Sequence, residues 1–286
     1  MTIRNALTVD VEDYFHVSAF AKNINQHEWG SYPLRVERNT HQLLDLFDEY
    51  QVKATFFVLG WVAEQTQGLI QEIASRGHEV ACHGYSHQLV YNQKPETFRE
   101  ETLRSKRLLE DIVQMPVRGY RAASYSITER SLWALDILAE AGFDYDSSIF
   151  PVRHDRYGIP DAEEMPHRLK TPDGSSLIEF PLSTVKLFNY RLPVAGGGYF
   201  RLYPYAVTRA GLAQINRRQQ PFIFYLHPWE IDPDQPRVSA SWLSRFRHYN
   251  NLDKCETRLR HLMTDFQFGT AWDVLKHLGL TETTPV

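Results

Sequence analysis

Apolar runs of strand character alternate with amphipathic helical stretches through most of this 286-residue chain, and that order limits its fold more than any other feature. Strand patterns occupy residues 6–11, 54–59, 79–82, 119–123, 143–149 and 222–226. Helical patterns occupy residues 39–50, 61–75, 95 to about 113, 129–141 and 205–217. In the first of these, Leu43, Leu46, Phe47 and Tyr50 fall on one side, the periodicity of a core-facing helix. Gly77 is placed to end the second, and Pro95 opens the third, where its missing N–H costs nothing. Repeated strand–helix units imply parallel strands with helices packed outside them. About seven strands exhaust the chain, and its polar clusters fall at strand C-terminal ends, so an α/β barrel is expected rather than an open sheet.

The rest of the chain adds detail. Residues 171–175, Thr-Pro-Asp-Gly-Ser, mark a hairpin turn between 168–170 and 177–182, and helix returns at 255–265 and 271–278. No repeat, low-complexity tract or linker interrupts the sequence. It reads as a single domain over 1–286, with a catalytic core of about 1–230 and a C-terminal extension of about 231–286. The 43% apolar content supports a substantial core, and a net charge of −4 lacks the basic face that nucleic acid requires. No stretch approaches the ~18 apolar residues of a transmembrane span. The N-terminal residues run into a strand without a signal-peptide core. Cys82 and Cys255 are too few for a disulfide scaffold and fit a reducing cytoplasm.

Two clusters carry the chemistry. His83-Gly-Tyr-Ser-His87 sets two imidazoles four residues apart, a spacing that lets both reach one divalent cation. Asp10, Glu12 and Asp13 follow the first strand and offer a third ligand together with a general base. Strand alternation points Asp10 and Glu12 to one side, while Asp13 lies beyond the strand. The same alternation turns Cys82 away from His83 and makes it a packed core cysteine. Ser86 lacks the elbow of a serine hydrolase. Arg121 at a strand end could hold an aspartate ionised, and Asp144 and Asp146 share a strand face from which either could orient an imidazole. His227, at the open end of the strand 222–226, is placed to donate a proton. Gly196-Gly-Gly198 reads as a flexible loop or tight turn, since no phosphate-loop continuation follows.

With these residues in view, the chain resembles the polysaccharide deacetylases of the NodB-homology group, carbohydrate esterase family 4. The resemblance is strongest to a cytoplasmic branch associated with exopolysaccharide and exosortase gene clusters. Thr8-Val-Asp10-Val-Glu-Asp13 resembles the first family motif, His83-Gly-Tyr-Ser-His87 the second and Arg121-Ala-Ala-Ser124 the third. Asp144-Tyr-Asp-Ser-Ser148 resembles the fourth, and Leu226-His227 the fifth. Two departures stand out. The family's adjacent Asp pair is interrupted here, which leaves the metal ligand to Glu12 or Asp13 with a lean toward Asp13, and Ala123 replaces a usual proline.

The resemblance implies a distorted (β/α)7 barrel, TIM-like, that hydrolyses N-acetyl groups on amino sugars. Zinc is the implied cofactor, with cobalt or nickel as alternatives. In the implied mechanism Asp10 is the base, steadied by Arg121, and His227 is the acid, oriented by Asp144 or Asp146. A backbone N–H near Ser124 or Tyr125 receives the oxyanion, and Trp229 joins these two against the substrate. The expected partner is an N-acetylated saccharide or its lipid-linked precursor, and a homo-oligomer is compatible with the C-terminal segment. Three other readings remain open: an allantoinase-like amidase, a non-catalytic glycan-binding relic, and a serine esterase, the last lacking its motif.

Overall fold

The computed structural model describes residues 3–154, 156–170, 176–187 and 190–281. Its strands are β1 (Arg4–Val11), β2 (Thr55–Val58), β3 (Glu79–Cys82), β4 (Gly119–Tyr120), β5 (Tyr145–Asp146), β6 (His167–Lys170), β7 (Ser176–Glu179), β8 (Thr184–Leu187), β9 (Tyr190–Pro193), β10 (Ile223–Leu226) and β11 (Gln267–Gly269). Its α-helices are α1 (Val36–Glu49), α2 (Gly60–Gln65), α3 (Gln67–Ser75), α4 (Pro95–Val113), α5 (Trp133–Glu140), α6 (Gly197–Leu202), α7 (Tyr205–Arg217), α8 (Trp242–Tyr249), α9 (Leu252–Asp265) and α10 (Ala271–His277).

Seven strands pair in parallel in the order β10-β1-β2-β3-β4-β5-β7, the cyclic order of a (β/α)7 barrel. β6 lies antiparallel on β7, and β11 runs beside the start of β1. Between β7 and β10 no strand pairs into the ring among the described residues. There the segment around β8 and β9 closes it through a Gly196–Tyr225 bridge and a bond from the Ile223 N–H to the Ser183 hydroxyl, 2.9 Å. This gap is the distortion.

Period-two alternation sorts each strand between two environments. On β1, Leu7, Val9 and Val11 pack outward under the helices, while Ala6 joins an inner cluster with Phe57, Ala81, Ile178 and Ile223. That inner cluster also takes Ala271, Val274 and Leu275 of α10, which plugs the barrel. The inward file of β1 then continues through Thr8 and Asp10 to Glu12, changing from apolar to acidic toward the C-terminal rim. Ala81 leads to His83 and Tyr225 to His227 in the same way, so alternation delivers the polar groups to one end. Cys82 packs outward and fully buried, as its position predicts.

Several expected boundaries are corrected. The helix expected over 61–75 divides into α2 and α3 at Thr66, whose backbone (φ −136°, ψ 50°) is not helical. The strands expected over 119–123 and 143–149 shrink to two residues each, because the chain leaves the sheet to build the rim. The helix expected over 129–141 opens with a 3-10 turn before α5. Residues 197–202, expected as loop or turn, form α6. The turn at 171–175 lies outside the described residues, but the strands flanking it pair antiparallel.

Candidate functional site

The side chains of Glu12, His83 and His87 converge at the C-terminal rim, with ligand atoms all within 4.8 Å of one another. Glu12 Oε2 lies 2.7 Å from His87 Nε2, and both side chains are almost wholly buried. That close contact lacks hydrogen-bond alignment and is the only one Oε2 has among the described residues, so two imidazole nitrogens and one buried carboxylate oxygen here fit a divalent metal. Burial raises the Glu12 carboxyl, but His87 first and then His227 and His83 outweigh it and hold it well below its ordinary value. Burial and the neighbouring His87 push His83 down to about 4, against the pull of Asp10 and Glu12, so its ring is neutral near pH 7, as a ligand must be. His83 Nδ1 faces the Arg121 carbonyl at 2.8 Å, which turns Nε2 toward the cluster.

Asp10 lies beside this triad. Its Oδ1 accepts from Arg121 Nη1 at 2.6 Å, and Arg121 is fully buried. The guanidinium also donates to the Thr8 hydroxyl, the Ser147 carbonyl and the Ser147 hydroxyl. Such a pair, well bonded on every side, costs about 3–5 kcal/mol to break by removing one partner. Asp10 is therefore held as an acceptor, with Oδ2 3.5 Å from the Tyr125 hydroxyl and 3.9 Å from His227 Nε2.

His227 follows β10 and completes the cluster, its Nε2 3.4 Å from Glu12 Oε1. Its other nitrogen, Nδ1, lies 2.6 Å from Glu230 Oε1, three residues on in a short 3-10 turn. Burial alone would lower the imidazole. The Glu230 hydrogen bond overrides it, and with Glu12 and Asp10 the ring rises to about 9, a protonated donor at neutral pH.

The remaining assignments divide. Asp13 turns away from the two imidazoles: its carboxylate accepts from the backbone N–H groups of Tyr14, Arg35 and Val36 at 2.6–2.9 Å, anchoring the start of α1. This overturns the lean toward Asp13 as ligand and brings Glu12 forward. Asp144 pairs with Arg118 on a partly exposed face. Asp146 is buried against Ser148 and Glu179, and burial raises its carboxyl. Neither partners His227; the carboxylate on its Nδ1 is Glu230 instead. Trp229 is no open platform either: one face stacks on His227 and another on His248, at 5.0 and 4.2 Å between centroids, and its N–H points to Glu12. Ser124 and Tyr125 both adopt positive φ at the rim. The Ser124 hydroxyl meets Ser18, and the Tyr125 N–H is already bonded to the Ala122 carbonyl. Glu230 and Arg201 were missed by sequence reasoning. A carboxylate three residues after a strand-end histidine, with Pro at the first turn position, was the available signal for Glu230; nothing local pointed to Arg201.

Comparison with known proteins bears on the family and the fold. Residues 29–145 match the family described as Polysaccharide deacetylase, and residues 147–276 match a domain of unknown function, DUF3473. A peptidoglycan-N-acetylglucosamine deacetylase of Bacillus cereus is 30% identical over 98 residues, covering 34% of this chain and 36% of that protein. The chain thus spans about a third of that relative's length. Among solved structures, a Mycobacterium smegmatis protein assigned to the polysaccharide deacetylases aligns over 99% of this chain and 92% of its own, at 21% identity and TM-score 0.62. A PuuE allantoinase aligns over 99% and 91% at 14% identity and TM-score 0.60, a likeness of fold alone.

Proposed function

We propose, from the match of residues 29–145 to the polysaccharide deacetylase family, that the protein is a metal-dependent N-deacetylase. Its substrate on this reading is an amino-sugar-containing polysaccharide of the exopolysaccharide kind, or a lipid-linked precursor of one. One observation carries the reading: a histidine pair with a buried carboxylate, an arginine-held aspartate and a carboxylate-held histidine share one rim.

Glu12, His83 and His87 would hold the cation, zinc by their donor set. When bound, such a cation polarises the acetyl carbonyl and acidifies water. Asp10, aimed by its bond from Arg121, takes the proton from the attacking water. The Ser124 N–H is the candidate donor to the oxyanion that forms. The acetyl C–N bond then breaks, nitrogen keeps the bonding pair, and His227 Nε2 delivers its proton to the departing amine. Free, buried Cys82 and Cys255 suit the cytoplasmic location that accompanies this reading.

The test is acetate release from N-acetylated oligosaccharides by protein as purified, after chelation, and after zinc is restored. Chelation should abolish turnover and zinc should return it, and His83→Ala should lose both bound metal and turnover. Full activity in metal-free protein would overturn the reading.

A further inference from the structure

The His227–Glu230 pair does not end at Glu230. Its second carboxylate oxygen accepts from Arg201 Nε at 2.6 Å, and Arg201 is 1% exposed. The rest of that guanidinium is spent on backbone. Nη1 donates to the carbonyls of His248 and Asn250 at 2.7 and 3.0 Å, and Nη2 to the carbonyl of Arg247 at 3.1 Å. These carbonyls close α8, where a helix leaves C=O groups without partners of its own. Arg201 is itself anchored: Asn251 and Arg258 both donate to its carbonyl, at 2.9 and 2.8 Å. One planar fork therefore caps a helix with two of its nitrogens and clamps a carboxylate with the third.

We propose that Arg201, seated on the C-terminal carbonyls of α8, is a positioning residue for amine protonation. It locks Glu230 so that Glu230 holds His227 with Nε2 toward Asp10 and Glu12. This rests on the deacetylase reading above, and it gives the region of unknown function between 147 and 276 a task at the site. Without the fork, Glu230 is held only through Oε1, by the His227 backbone N–H at 3.1 Å and the imidazole itself, and the imidazole loses its anchor to the rest of the fold. The consequence is selective. Breaking an amide requires a proton on the departing nitrogen, whereas an aryl acetate expels a phenolate that carries its bonding pair away unprotonated.

The experiment measures kcat for an N-acetylated chitooligosaccharide and for p-nitrophenyl acetate in wild type, Arg201→Lys and Glu230→Gln. The expected result is an amide-to-ester ratio of kcat at least tenfold lower in both variants, with zinc content near wild type and a lowered melting temperature, since each variant breaks a buried charge pair. Proton NMR supplies a readout independent of turnover: a strongly hydrogen-bonded imidazole N–H resonance in wild type, lost in Glu230→Gln. An unchanged ratio, or an equal loss on both substrates, would overturn the proposal. If Arg201→Lys does not fold, Glu230→Gln and the resonance decide it alone. Wild-type protein that releases no acetate from the saccharide would sink the deacetylase reading and this inference with it, an outcome distinct from an unchanged ratio.

Discussion

Adjacent acids take different parts at the rim because the inward file of β1 runs one residue past its last ladder position. Glu12 keeps the strand direction and meets the imidazoles, while the chain turns at Asp13 and aims its carboxylate at three backbone N–H groups. Burial raises the Asp13 carboxyl to about 6, in spite of those three bonds. The two residues should separate cleanly by mutation. On the proposed metal site, Glu12→Ala should lose the bound cation and lower kcat on the order of a hundredfold or more. Asp13→Ala should keep the cation and cost about 1–3 kcal/mol of stability, the penalty for orphaned buried donors. Metal analysis beside urea unfolding checks both, and the opposite pattern would restore Asp13 as the ligand. The alternation that pointed Asp10 and Glu12 to one side was legible in sequence. The turn at Asp13 was not, because it depends on the start of α1 arriving twenty-odd residues later.

Among elements, the long regular ones were the easiest to read. α7 and β3 appear at their expected bounds, since periodicity over many residues or a short apolar run closed by a polar residue leaves little choice. β4 and β5 were overestimated because apolar character continues past the last ladder bond while the backbone bends to carry Arg121 and Ser147 inward. The closure at Gly196 was the hardest. Its φ is +137°, and a Cβ there would lie 2.0 Å from the Tyr225 carbonyl oxygen, a backbone atom that cannot move aside. Contact with a distant strand, rather than loop flexibility, explains that glycine. Gly196→Ala should lower unfolding free energy by about 2–4 kcal/mol. Gly30→Ala, where a Cβ meets nothing within 4 Å, is the control and should be nearly neutral. Equal stability of the two variants in urea titrations would remove Gly196 from the closure.

At the scale of the molecule, the first family match ends just as the barrel is half built. Residues 29–145 contribute β2 to β4 and the histidine pair, but β7, β10 and the α10 plug come from 147–276. So do His227, Glu230 and Arg201. A fragment of residues 1–146 would leave β5 without its β7 neighbour and β1 without β10, exposing two edges and an open interior. It should show no cooperative unfolding transition by circular dichroism, in contrast to the full chain. A sharp transition in the fragment would mean that the two matched regions fold independently. By itself the sequence determined the strand–helix order and the inward face of each strand, because both follow from local periodicity. Only the tertiary structure decided that Glu12 meets the histidines and that Glu230, backed by Arg201, meets His227. Those partnerships are distances between segments far apart in the chain, and they exist only once the ring of strands has closed.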